Sequence, residues 1–278
     1  MKASLIIYIK NNVTILPLLF EALNQQSEKD FEVIFAHDGC DKEIESAVDE
    51  IKNRASFHVT YLSHNEGVYK REAILNYAIK EAKSDYLIFI GNGTIPHYKF
   101  VAEHIRLSAY GKVVAARKIS LTKEFSMQIT SQLIASKKLH TYILRKLYSG
   151  VDAVSRPEAF RLTNGFLRHF ILDDVWQGLL TDNFSLYKED ILLVNGFDER
   201  FDVKSEESDF ELELRLMQKG VFTKEERRIA TLYELWSEKQ EEKSSLSAVI
   251  LSETNDKNLS WTQYGIIKGE EPREDEEQ

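Results

Sequence analysis

Cysteine occurs once in the 278 residues, at Cys40, so no internal disulfide can form and no cysteine-rich zinc site can be assembled. Long apolar runs are also missing: stretches such as Tyr86 to Ile90 fall far below the ~20 residues that cross a bilayer as a helix. The amino terminus has no basic stretch, apolar core and small-residue cleavage site in succession. Together these absences lead to an expected cytoplasmic location, with peripheral contact at the inner face of the membrane as the nearest approach to lipid. Positive charge is in deficit, with 36 Lys and Arg against 45 Asp and Glu, a net charge of −9 and a pI near 5.4. That balance argues against a nucleic-acid-coating protein.

Several chemistries lack their signatures. None of the 12 glycines supplies a Gly-x-x-x-x-Gly-Lys-Ser/Thr phosphate loop, and the lone Gly-x-Gly, Gly91-Asn92-Gly93, continues Thr-Ile-Pro instead of completing a dinucleotide-binding turn. The seven histidines form no His-x-x-x-His pair, and no Gly-x-Ser-x-Gly elbow is present. There is no Pro-, Gly- or Ser-rich linker and no internal repeat.

What is present is 43% hydrophobic content, enough for a continuous core, arranged in two alternating periodicities over the first 120 residues. Short β-branched or aromatic runs (Ser4 to Ile9, Phe31 to Ala36, His58 to Leu62, Tyr86 to Ile90, Lys112 to Arg117) predict strands covered on both faces. Helices are predicted to begin near Ile15, Lys42, Tyr69 and His97. In such β-α-β sheets, ligands bind at the carboxyl ends of the strands, which singles out Tyr8 to Asn12, His37 to Asp41, Ser63 to Lys70 and Gly91 to Pro96. From Thr122 to Leu180 helical patterns replace the strand rhythm. Residues 131–170 hold seven Lys or Arg against Asp152 and Glu158, and the tail from Gly269 to Gln278 holds six acidic residues. Then follow a predicted strand (Phe184 to Tyr187), a short helix (Lys188 to Val194), a turn at Asn195-Gly196, and a helix from about Asp209 to Lys219. Ser208 with Glu211 fits a capping box, and Gly220 a helix stop.

Four motifs in succession resemble the family 2 glycosyltransferases with the nucleotide-sugar-binding GT-A fold. They are Ile7-Tyr8-Ile9-Lys10-Asn11-Asn12; His37-Asp38-Gly39-Cys40-Asp41; Asn65-Glu66-Gly67 leading to Asn76-Tyr77-Ala78-Ile79; and Asn183-Phe184-Ser185 with Gly196-Phe197-Asp198-Glu199 and Ser208-Asp209-Phe210-Glu211-Leu212. The resemblance implies a mixed, mostly parallel sheet sandwiched by helices, with a helical basic insertion. It divides the chain into a nucleotide-binding half (1–120), the basic segment (121–182), an acceptor-side half (183–240) and a C-terminal extension with an acidic tail (241–278).

The same resemblance implies the roles. Asp38 sits beside the nucleotide base, where a carboxylate accepts an imide hydrogen of uracil or a guanine donor. Lys70 and Arg71 approach the donor diphosphate, with Asn92 also on the donor side. Asp209 falls on the catalytic-base position, and Asn183, Asp198 and Glu207 belong to the acceptor side. Where the family has Asp-x-Asp holding a divalent metal, this chain has Gly91-Asn92-Gly93, and where the family often has a metal-binding histidine it has Glu234. A hard dication prefers anionic oxygen. Manganese or magnesium is therefore left with Glu234 as a weak candidate ligand, and Arg156, Arg161 and Arg168 are candidates for neutralising the diphosphate.

The implied activity is inverting transfer of a sugar from a nucleotide-sugar to a glycan or lipid-linked saccharide. The alternative is a degenerate domain that binds nucleotide, saccharide or a protein partner without turnover. A sugar nucleotidyltransferase would need a glycine-rich signature after the first strand, which Lys10-Asn11-Asn12-Val13 does not supply.

Overall fold

The computed structural model describes residues 1–10, 12–64, 71–91, 93–116, 118–149, 153–154, 182–202, 206–226, 229–238 and 244–269. Its first half alternates strand and helix as the periodicity predicts. β1 (Ala3–Ile9), a 3-10 turn (Val13–Ile15), α1 (Leu16–Asn24), β2 (Phe31–His37), α2 (Lys42–Arg54), β3 (His58–Ser63), α3 (Arg71–Glu81) and β4 (Tyr86–Ile90) follow in order. Next come β5 (Thr94–Pro96), α4 (Phe100–Leu107), β6 (Lys112–Ala116) and β7 (Lys118–Ser120). Local chemistry sets these boundaries: Pro17 lies in the first turn of α1, and the Asp41 carboxylate caps α2 by accepting from the Glu43 amide at 2.8 Å.

Between residues 122 and 149 the long helical pattern resolves into three short helices, α5 (Lys123–Ser126), α6 (Ser131–Ala135) and α7 (Leu139–Tyr148). Arg156, Arg161 and Arg168 lie outside the described residues. The chain continues through β8 (Asn183–Tyr187), α8 (Lys188–Leu192), α9 (Glu206–Gln218), β9 (Phe222–Glu226), β10 (Leu232–Glu234) and α10 (Ser245–Asp256). No helix among the described residues is long and apolar enough to cross a membrane.

Seven strands form one sheet in the order β3-β2-β1-β4-β8-β6-β9. All neighbours are parallel except those of β8, which runs antiparallel to both β4 and β6. Strand alternation divides the apolar residues between two faces. Leu5, Ile7, Val33 and Phe35 pack under α1, α2 and α4, while Ile6, Tyr8, Ile34 and Ala36 meet α3 and α9 on the other side. A smaller sheet, β5-β10-β7, lies over a third apolar cluster shared with α5 to α7. The strand rhythm did not reveal this second sheet, because its three strands, each of three residues, fall outside the pattern of longer apolar runs.

Two expectations near α9 need correction. The helix starts at Glu206, so Ser208 lies inside it and is not its cap. The Ser208 hydroxyl donates instead to Glu72 on α3 at 2.9 Å, and Glu211 engages Arg215. The stop at Gly220 agrees with the sequence: its φ is +79°, and the Val221 amide returns to the Leu216 carbonyl at 2.9 Å.

Candidate functional site

At the carboxyl ends of β1 and β2, Tyr8 faces α3 and its hydroxyl donates to Asp38 at 3.2 Å. Burial, together with the Asp38 charge, pushes the Tyr8 pKa up, so the phenol stays a donor. The preceding residue, His37, is held between the Tyr61 hydroxyl (2.7 Å from Nδ1) and the Lys10 carbonyl (3.1 Å from Nε2). A carbonyl can only accept, so Nε2 carries the proton and Nδ1 accepts from Tyr61. Burial holds the ring's pKa below its usual value, which keeps it neutral.

On α3, the Arg71 guanidinium lies 5.7 Å from the Tyr8 ring centroid. Its Nη1 pairs with Glu72 at 3.0 Å and its Nη2 with Asp209 at 3.7 Å. Arg71 is thus a buried residue, only 1% exposed. Residues 8, 38, 71, 72, 208 and 209, scattered through the sequence, converge here because α3 and α9 cover the same face of the sheet over β1 and β2. Asp209 is buried at the first turns of α9, and Glu207 beside it is half-buried. Lys70 and Asn92 lie outside the described residues.

A second cluster stands at the end of β4. The Gly91 amide donates to the Asp182 carbonyl at 3.2 Å, and the Asp182 carboxylate fills the space that a Cβ at residue 91 would need. Beside it, Lys118 Nζ pairs with Asp182 at 2.9 Å and with Glu234 at 2.6 Å. The other Glu234 oxygen accepts from Ser120 at 2.7 Å. Burial opposes the charge on Lys118, but the two carboxylates outweigh it and push its pKa up. Burial likewise opposes the charge on Glu234, yet Lys118 and Ser120 hold its pKa down. Among the described residues, positions 91 and 93 bring no side chain, the Asp182 and Glu234 carboxylates are paired with an ammonium, and no group of three His, Cys, Asp or Glu gathers. A six-oxygen shell for manganese or magnesium does not fit this donor set.

The remaining motif residues sit in interlocked polar networks. Asn183 accepts from His104 Nε2 at 3.1 Å and donates to the Ala230 carbonyl at 3.1 Å. Burial drops the His104 pKa to about 3. Asp198 accepts from Arg200 and, at 2.6 Å, from Thr262, so its carboxylate ties the motif to the C-terminal segment. Sequence reasoning missed Lys118, Asp182 and Glu72. Asp182 immediately precedes the Asn183 motif, and Lys118 follows a predicted strand, but nothing in the linear order places either beside Gly91.

The chain matches the glycosyl transferase family 2 profile over residues 4–166. No curated protein matches it. Among solved structures it is similar to a mannosyltransferase, PcManGT from Pyrobaculum calidifontis in complex with GDP-Man and Mn2+. That match has 11% identity and a TM-score of 0.55, covering 84% of this chain and 56% of that one. It is also similar to GalNAc-T7 with UDP, GalNAc and Mn2+ (11%, TM-score 0.63, 91% and 47%) and to S. aureus TarS 1–349 in complex with UDP (15%, TM-score 0.53, 95% and 73%). The chain spans about half the length of the first two. The mostly parallel sheet with helices on both faces is the GT-A arrangement of these glycosyltransferases, and with the profile covering more than half of its residues, the chain belongs to glycosyl transferase family 2.

Proposed function

We propose that this chain binds a nucleotide-sugar donor at the carboxyl edge of β1, β2 and β4 and transfers the sugar, with inversion, to a hydroxyl of a glycan or lipid-linked saccharide. The observation that carries this reading is the convergence of Asp38 and Asp209 through Tyr8 and Arg71. Asp38, oriented by the Tyr8 hydroxyl, is the acceptor for a ring N–H of the base. Asp209, oriented by Arg71, takes the proton from the acceptor hydroxyl as that oxygen bonds to the anomeric carbon. The bond from that carbon to the diphosphate breaks, and the nucleoside diphosphate leaves with the electron pair. Solved neighbours that hold UDP or GDP-Man support the donor class. The proposed location is cytoplasmic, at or near the inner face of the membrane.

Calorimetric titration with UDP, GDP and their sugar conjugates, with and without Mn2+, tests the donor site, and product analysis with saccharide acceptors tests transfer. Asp38→Ala is expected to abolish nucleotide binding, whereas Asp209→Asn should retain binding and lose transfer. If both variants bind and turn over like the parent, the assignment is wrong. A second reading, binding without turnover, is favoured by Gly91 and Gly93 standing in place of acidic residues. It predicts nucleotide affinity with no product from any acceptor.

A further inference from the structure

We infer that the Lys118 ammonium is the resident cation of this site, built into the chain in place of a divalent metal, and that the site is closed to dications while Lys118 is there. Two segments meet at its Nζ, Asp182 leading into β8 and Glu234 at the end of β10, and Asp182 in turn lies against Gly91 at the end of β4. The pairing of Glu234 with Thr94 on β5 and with Ser120 on β7 fixes this register. The Asp182 carboxylate approaches from a neighbouring segment into the volume that an aspartate side chain at residue 91 would begin to fill. One carboxylate is thus delivered from elsewhere, a second comes from Glu234, and the charge between them is an ammonium on its own tether.

The lysine side chain is only 17% exposed. An incoming dication would have to displace it from two charge-assisted hydrogen bonds and leave the ammonium without them. An ammonium has three N–H donors, of which two serve the carboxylates. The third can serve a diphosphate oxygen, a step that rests on the donor reading above. Removing the lysine would leave two carboxylates facing one vacated cation position, a ligand pair suited to a hard metal.

The test uses Mn2+ alone, followed by its paramagnetic resonance signal, on the full chain and on Lys118→Ala. Lys118→Met serves as a second variant that preserves the packing of the aliphatic stem, and circular dichroism checks the fold of each. The parent is expected to bind no stoichiometric Mn2+. Either variant should acquire one Mn2+ per chain, and this should be lost again on adding Glu234→Gln. A parent that binds one Mn2+ as tightly as the variants, or folded variants that gain none, would overturn the inference.

In a second arm, UDP and GDP are titrated in EDTA and in Mn2+. The parent should bind equally in both, while Lys118→Ala should bind about tenfold more weakly in EDTA and recover with Mn2+. Parent binding that requires Mn2+ would overturn the inference. If no form binds nucleotide but the variants still gain Mn2+, the resident-cation inference stands and the donor reading falls.

Discussion

Glu72 shows how a single buried group can give the whole molecule a pH dependence. Burial raises its pKa from 4.5 to about 7, against the opposing pull of Arg71 and the Ser208 hydrogen bond, and its Oε2 has no hydrogen-bond partner. The folded state therefore holds a proton that the unfolded chain releases near pH 4.5. The stability this gives is fully present below pH 4.5 and is lost as pH rises through about 7. Glu72→Gln should flatten that slope in urea denaturation measured across the window. At Gly91 the constraint is steric. Gly91→Ala drives a methyl group into the Asp182 carboxylate, with an expected loss of about 1–3 kcal/mol, read from the denaturation midpoint. The sequence shows only that residue 91 is a glycine at the end of a strand. That the glycine admits another carboxylate is visible only in three dimensions.

Among elements, the turn before α9 is tied to α3. Asn195 and Gly196 both have positive φ, at 64° and 74°, and a Cβ at residue 196 would collide with Asn76 on α3. The Asn76 amide in turn donates to the Phe197 carbonyl at 2.9 Å and accepts from the Phe197 amide at 2.8 Å. Gly196→Ala is expected to cost at least ~1–2 kcal/mol from backbone strain alone. From α9, Arg215 pairs with both oxygens of Glu211 and donates to the carbonyls of Val194 and Gly196. Arg215→Met would leave a buried carboxylate without its guanidinium, an expected loss of about 3–5 kcal/mol by urea titration. The Asn-Gly turn and the Gly220 stop were legible because both follow from backbone conformation, a local property. The capping box was misread because the partner that Ser208 prefers, Glu72, lies 136 positions away.

At the scale of the molecule, the segment after α9 and β10 packs back onto the part of the chain from β8 to α9. α10 packs on α9, with Ile250 buried and Thr254 donating to Glu211 at 3.0 Å. Arg200 reaches Glu253 at 2.8 Å, and Asn195 holds both the carbonyl and the amide of Ile267 at 2.7 Å. Deleting residues 245–278 strips Thr262 from the buried Asp198 carboxylate and leaves it to Arg200, the loss of one hydrogen bond to a charged group, about 1.5–3 kcal/mol, and should lower the melting temperature in calorimetry. The sequence by itself determined the β-α-β order, because strand and helix periodicity and backbone turns depend on near neighbours. The motifs singled out Asp38 and Asp209 for the roles proposed above. Only the tertiary structure decided that Arg71 is buried between Glu72 and Asp209, and that Lys118 lies between Asp182 and Glu234. Charge pairing acts through space over a few ångströms, and the residues it joins are brought together by sheet order and register, which no local pattern in the chain encodes.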